Sequence, residues 1–357
     1  MNRYLAYNPR GVLLLVLFAS ITIVSIPYSA HCQDIHFSQY FANPLSFNPA
    51  NTGFFDGSYR LGINHKQQWP WAIDGKFLNY NSSAAYADFS FLDKKINDND
   101  WAGIGLSFTN DQAGDGNLTA NKAAISMAYH KGLDEMHRHF ISFGIQLMYV
   151  HRRIDFNALY FNNQWVDRVG FDLSIPNNEG FSIQNTGYLD FGIGLQGKNQ
   201  VNDQWGLLYG ASLIHINRPT ESFYRQNNRL GLRYIIHGTL DYQANEQIQI
   251  QGSLYYSRQK TAQELVFGSL GNFRLKQSSG RRSSYLYFGT IYRFKDALAP
   301  IIGYQYHKTR LLLNYDINLS QLSKASRGNG GFELSLVQIG VFRGKKNYAY
   351  KNHCPSF

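Results

Sequence analysis

Cysteine is nearly absent: Cys32 and Cys354 are the two in 357 residues. Two cysteines allow at most one disulfide, and none at all once a signal peptide carrying Cys32 is removed; nor are they paired at the spacing of a zinc site. Also missing is an apolar run of the roughly twenty residues that a spanning helix needs. The stretch that comes nearest, "GVLLLVLFASITIVSI", runs for about sixteen residues, follows Arg3 and Arg10, and ends at Pro27 before the small residues Ser29 and Ala30. That layout predicts a cleaved secretory signal peptide over residues 1–32. Cleavage after Cys32 places Ala30 and Cys32 at the small-residue positions, starts the mature chain at Gln33 and leaves Cys354 as its single thiol. A lipid-modified Cys32 is disfavoured, because bulky His31 stands where a lipobox carries a small residue.

Motifs of catalysis are missing as well. The chain has no His-Glu-x-x-His run, no Gly-x-Ser-x-Gly elbow and no Gly-rich loop ending in Lys-Ser or Lys-Thr. His130, His137, His139, His151, His215, His237 and His307 are spread over separate segments without metal-ligand spacing, and the His137/His139 cluster reads as a turn. No catalytic, cofactor-binding or metal-ligating residue is assigned, and no cofactor is expected. Acidic residues are outnumbered, 24 against 34 Lys and Arg, giving a formal charge of +10. The cations are scattered, as at Lys94-Lys95 and Arg281-Arg282, whereas a nucleic-acid binder gathers them on one face. No nucleic-acid partner is expected, and the basic excess suits anionic lipid headgroups or acidic partners.

Past residue 56 there is no sustained helical period, yet aromatics make up 15% of the chain. What is present is alternation. In "EQIQIQGSLYYS", Ile248, Ile250, Leu254 and Tyr256 share one face and Gln247, Gln249, Gln251 and Ser253 the other, as the period of two in a strand dictates. "TGYLDFGIGLQGK" and "LLLNYDINLS" carry the same code. About fourteen such segments are found, near 57–68, 76–91, 101–112, 117–132, 138–152, 186–197, 204–217, 228–243, 246–258, 262–275, 284–295, 298–308, 310–320 and 330–343. An apolar face opposed to one of Gln, Asn, Ser, Gly and Asp predicts an all-β, transmembrane antiparallel β-barrel of about fourteen strands, with the amide-rich face toward a watery lumen. Tyr149, Trp205, Tyr255, Tyr256, Tyr285, Tyr292 and Phe294, near strand ends, are expected at the membrane interface. The organisation is then a signal peptide over 1–32, an Asn-Pro segment over 33–56, a barrel over 57–343 with a long loop at 153–185, and a tail over 344–357.

Two stretches stand outside the alternation. In "DIHFSQYFANPLSFNPANTG", the pairs Asn43-Pro44 and Asn48-Pro49 rule out a regular helix, while Phe37, Tyr40, Phe41, Leu45 and Phe47 supply apolar surface that must dock on something. An ordered segment in or across the periplasmic mouth of the barrel is expected, as plug or as docking site. The loop at 153–185 carries Phe156, Tyr160, Phe161, Trp165 and Phe171 and is expected to fold against the barrel mouth, a partner, or both.

The segment "DIHFSQYFANPLSFNPANTGFFDGSYRLGINHKQQWP", then "SAAYADFSF", and the far end "YDINLSQLSKASRGNGGFELSL" closing in "CPSF", resemble the PorP/SprF outer-membrane proteins of type IX secretion and gliding motility. Ser356 departs from the pattern, where Arg is expected. The resemblance implies a non-catalytic component in the outer membrane of a Gram-negative bacterium. It supports export, surface retention or motor coupling of large adhesins or other substrates with a C-terminal secretion domain, beside periplasmic and outer-membrane subunits and in contact with outer-membrane lipid. Candidate partner-binding residues are Phe37, Gln39, Tyr40, Asn43, Pro44, Asn48, Pro49, Phe161 and Trp165. An outer-membrane porin or small-solute transporter is the alternative, and it needs an open lumen. A barrel hydrolase needs inward Ser, His and acid side chains in hydrogen-bond reach.

Overall fold

The computed structural model describes residues 37–69, 80–91, 99–114, 116–136, 138–178, 185–223, 227–275, 283–321 and 323–342. The expected signal peptide, residues 33–36, the pairs Lys94-Lys95 and Arg281-Arg282, and the 344–357 tail lie outside them.

Alternating segments become strands, and the strands close on themselves. The first five are β1 (Tyr59–Gln68), β2 (Tyr80–Phe91), β3 (Trp101–Ala113), β4 (Leu118–Gly132) and β5 (His139–Arg153). A separate small hairpin follows, β6 (Trp165–Val166) with β7 (Gly170–Phe171). The wall resumes with β8 (Asn185–Gln200), β9 (Trp205–Ile214), β10 (Arg233–Gln243), β11 (Ile248–Gln259) and β12 (Ala262–Arg274). It ends with β13 (Ser284–Arg293), β14 (Ala297–Tyr306), β15 (Thr309–Asn318) and β16 (Asn329–Gly340). Fourteen of these form one closed antiparallel barrel, whose seam pairs β1 with β16 from Tyr59↔Gly340 to Gln68↔Gly331. Closure leaves no unpaired edge, as a wall in hydrocarbon requires.

Side-chain parity sorts inside from outside. Along β5, Ile141, Phe143, Ile145, Leu147 and Tyr149 are exposed, while Phe140, Ser142, Gln146, Met148 and Val150 are buried. Ile193, Ile250, Leu106 and Phe288 extend this exposed apolar belt around the wall. Leaving such a belt in water costs roughly 1.5–3 kcal/mol for each large side chain, and a bilayer removes the cost. Two aromatics expected at the membrane interface have the wrong parity: Tyr255 is buried in the interior and Tyr285 packs against the interior cluster. The inner wall is also less uniformly polar than the sequence suggests. Ile214, Ile235, Val266, Leu270, Ile291, Ile301 and Leu312 point inward and form a core with Tyr40, Phe41 and Phe47.

The strand ends at Gln68, Arg153, Ile214 and Asn318, from which the long connections leave, lie at one end of the barrel, and the start of β1 and the end of β16 lie at the other. We call these the long-loop end and the terminal end. Among the described residues, regular helix is confined to one turn, α1 (Ser323–Ser326), within the last long connection.

Candidate functional site

The chain before β1 lies inside the bore. Each proline opens a 3-10 turn, Pro44–Ser46 and Pro49–Asn51, after a first such turn at Tyr40–Ala42. A proline suits that first position because its missing N–H has no helical partner to lose. Asn48 stays extended before Pro49, as the proline ring demands, and its side chain accepts from the Ala50 amide at 2.9 Å. Asn51 Nδ2 donates back to the Pro44 carbonyl at 3.1 Å and ties the two turns together. The result is a compact, irregular plug whose backbone polar groups must find partners on the wall.

They find them at three levels. Toward the long-loop end, the Glu333 carboxylate accepts both consecutive amides, from Ser38 at 2.7 Å and Gln39 at 3.0 Å. Gln39 Nε2 donates to Asn314 at 2.6 Å, and Ser335 donates to its carbonyl oxygen. Ser38 donates to Asp316, which also faces Lys66 at 3.2 Å and Arg293 at 2.8 Å. At mid-height, Asn48 Nδ2 donates to the Leu195 carbonyl at 3.0 Å, and Gln146 donates to the Leu45 carbonyl at 3.1 Å. The Tyr40 ring lies 4.8 Å from Tyr255, and Phe47 meets His237 edge-on at 4.9 Å. Toward the terminal end, Asp88 accepts from the Gly53 amide at 2.8 Å and binds Arg60 through two nitrogens at 2.8 and 3.0 Å. Arg60 also donates to the Asn51 carbonyl at 3.1 Å, and Trp101 Nε1 donates to the Gly53 carbonyl at 3.0 Å.

Two inward glycines make the fit possible. A Cβ on Gly103 would come within 2.0 Å of the Thr52 carbonyl oxygen, and one on Gly144 within 2.3 Å of the Pro49 carbonyl carbon. Such strand glycines mark a close backbone approach. The space left between plug and wall beside Tyr40, Asn43, Lys122, Met148, Arg233 and Glu264 is about 60 Å³, room for a few waters.

Phe37, Gln39, Tyr40, Asn43, Pro44, Asn48 and Pro49 are all buried in this plug. The segment does not sit across one mouth: it spans from the Lys66–Glu333 level, near the end of β1, to the Arg60–Asp88 level, near its start. Its wall partners Lys66, Asp88, Arg293, Asp316 and Glu333 were not singled out as an ensemble in the sequence. The available signal was a strand-parity one, because each is a charge on the inward face of an alternating segment, where unpaired charge is not tolerated.

Phe161 and Trp165 belong to a different place, the long connection after β5. Gln164 is buried there, with its side chain accepting from the Phe161 amide at 3.1 Å and donating to the Ile175 carbonyl at 2.9 Å. The β6–β7 hairpin is faced by Trp165 and Phe171, ring centroids 4.9 Å apart, with Tyr160 at 5.1 Å from Phe171. Trp165 is 56% exposed and Val169 78%. Hydrogen bonds from the Ser174 hydroxyl and amide hold the nearby Asp172 carboxyl below its usual range. At the base of this connection Arg152 pairs with Glu221, which also accepts from the Tyr188 hydroxyl at 2.9 Å.

The elements of a hydrolytic triad occur but are not assembled. The His130 ring lies between Ser142 Oγ at 2.7 Å and the Thr52 carbonyl at 2.8 Å; that carbonyl can only accept, so Nε2 donates to it and Nδ1 is left facing the Ser142 hydroxyl. His215 pairs with Asp190 on another strand. The two pairs lie apart, His130 with Ser142 across β4 and β5 and His215 with Asp190 of β8, and no group of three metal-ligating side chains is found among the described residues.

A family model described as type IX secretion system membrane protein PorP/SprF matches residues 29–337. No curated protein matches the chain. Among solved structures, the Pseudomonas putida toluene transporter TodX is similar at 10% identity and a TM-score of 0.48, covering 82% of this chain and 91% of that one. The Ralstonia pickettii toluene transporter TbuX is similar at 10% identity and a TM-score of 0.46, with 83% and 92% covered. The KdgM porin is similar at 9% identity and a TM-score of 0.37, with 78% and 98% covered.

Proposed function

Because this chain belongs to the PorP/SprF family of type IX secretion system membrane proteins, and is thus an outer-membrane component of that system, we propose that it acts by binding rather than by conducting solutes or by catalysis. It supports the export, surface retention or motor coupling of a large adhesin or another substrate with a C-terminal secretion domain, in company with periplasmic and outer-membrane subunits. The observation that carries this reading is the occupied bore. A porin spends its lumen on passage, whereas here residues 37–55 fill it and bring buried charges of five wall strands to bear on holding it shut. The aromatic hairpin at Tyr160, Trp165 and Phe171 supports the same reading, since rigid aromatic side chains dominate the centres of binding interfaces.

Deleting the gene tests it through two readouts, the surface proteome and outer-membrane permeability. One or a few large proteins should vanish from the cell surface while permeability to small solutes stays unchanged. Replacing Phe161 and Trp165 together by Ala should weaken retention of such a protein several-fold with the barrel still assembled. A deletion strain that kept every surface protein and lost uptake of a small solute would put the transporter reading in its place.

A further inference from the structure

The outward faces of β10 and β11 carry an ordered gradation toward the long-loop end. Ile250, Leu254, Ile236 and Leu240 are exposed along the belt; above them come Tyr256 and Tyr234, and beside and above these Arg258 and Lys260. The register puts Tyr256 opposite Ile236 and Arg258 opposite Tyr234, so apolar, aromatic and cationic tiers lie side by side on the two strands. The connection from β9 to β10 adds Arg218 and Arg229 to the same edge. That connection is itself pinned by a bridge between Thr220 and Arg229 and by hydrogen bonds from the Glu221 amide to the Asn228 carbonyl and from Leu230 to Pro219. Arg218, Arg229, Arg258 and Lys260 converge with Tyr234 and Tyr256 on a cleft of about 690 Å³. All four cations are exposed, and none has an acidic partner among the described residues. Glu221, the acid carried by that connection, is held elsewhere by Arg152 and Tyr188.

Four unneutralised cations crowded at one cleft repel each other, and an anion relieves that cost. Arginine forks match phosphate oxygens in pairs, and lysine adds a point charge. The cleft is open to the lipid side of the wall and continuous with the apolar belt, so its anion belongs on a molecule with acyl chains. Outer-membrane barrels carry their longer loops at the cell surface, where the leaflet is built of phosphorylated glycolipid. We infer that the cleft of Arg218, Arg229, Arg258 and Lys260 is a binding site for the phosphates of an outer-leaflet glycolipid, whose acyl chains lie against Ile236, Leu254 and Ile250 below the two tyrosines.

Native mass spectrometry of the full mature chain in detergent tests the site, with bisphosphorylated lipid A, its dephosphorylated form, inorganic phosphate and poly-glutamate as probes. Wild type should bind bisphosphorylated lipid A at least ten-fold tighter than the dephosphorylated lipid, and added salt should narrow the gap, as screening of exposed charge requires. R229Q/R258Q should bring the two lipids to within about three-fold of each other, while R138Q, at the terminal end of the barrel, should leave the preference intact. Both sets replace exposed side chains, and retention of heat-modifiable migration on gels shows that the barrel is folded. Equal binding of the two lipids by wild type, or an unchanged preference in R229Q/R258Q, would overturn the assignment. So would displacement of the lipid by millimolar inorganic phosphate, which marks a free-phosphate site, or a preference for poly-glutamate, which marks a docking site for an acidic protein.

Discussion

Asp88 holds more of the plug than any other acid on its level, since it binds the Arg60 guanidinium and the Gly53 amide at once and is fully buried. Removing it strands Arg60 without its counter-charge. Asp88→Ala should therefore cost about 3–5 kcal/mol, the range for breaking a buried pair from one side, read by urea unfolding of the refolded barrel. The double variant R60M/D88A removes both charges and should recover most of that loss; a double variant as unstable as D88A would mean that the charge pair is not the source. At this scale the sequence was half legible. The Asn-Pro pairs and the aromatics announced a segment that had to dock, because that information is local. The partners were not legible: Ser38 meets Glu333 across 295 residues and Asp316 across 278, and no spacing rule links positions so remote.

The wall strands were the most readable elements, because a period of two survives in each of them and antiparallel closure needs an even count. The wall strands fall within a few residues of the alternating segments, from β1 (Tyr59–Gln68) to β16 (Asn329–Gly340). What alternation could not supply was the nature of the inner face. Tyr255 and Tyr285 looked like girdle residues by position, but their parity turns them inward, and a plug rich in Phe and Tyr gives inward apolar side chains something to pack on. The β6–β7 hairpin was invisible because two-residue strands carry no period. Parity makes a sharp prediction: Ile193→Arg or Ile250→Arg puts charge on the lipid side and should cost roughly 2–4 kcal/mol near midplane. Gln249→Arg, on the inner face, should insert at close to the wild-type level, and equal assembly of all three into the outer membrane would reverse inside and outside. Deleting residues 37–55 tests the plug as an element. The barrel should still insert, and in planar bilayers it should show steady ion conductance that the intact protein lacks; a deletion variant as silent as the intact protein would show that something else closes the bore.

For the whole molecule, the position of the plug's grip matters more than its strength. Lys66 and Glu333 are cross-strand neighbours on β1 and β16, the pair that closes the barrel, and both hold the plug at Ser38. Ser335 of β16 holds Gln39, and the Ser58 amide, one residue before β1, donates to the Gly340 carbonyl at the end of β16. The earliest described residues are thus fastened to the last described strand. Contacts this far apart in sequence form late, because they close a loop of 295 residues. Stoppering the bore and zipping the seam therefore share one clock. A chain halted before β16 would be unsealed along its side and uncorked along its axis together, so an assembly machine that releases only fully zipped barrels also releases only sealed ones.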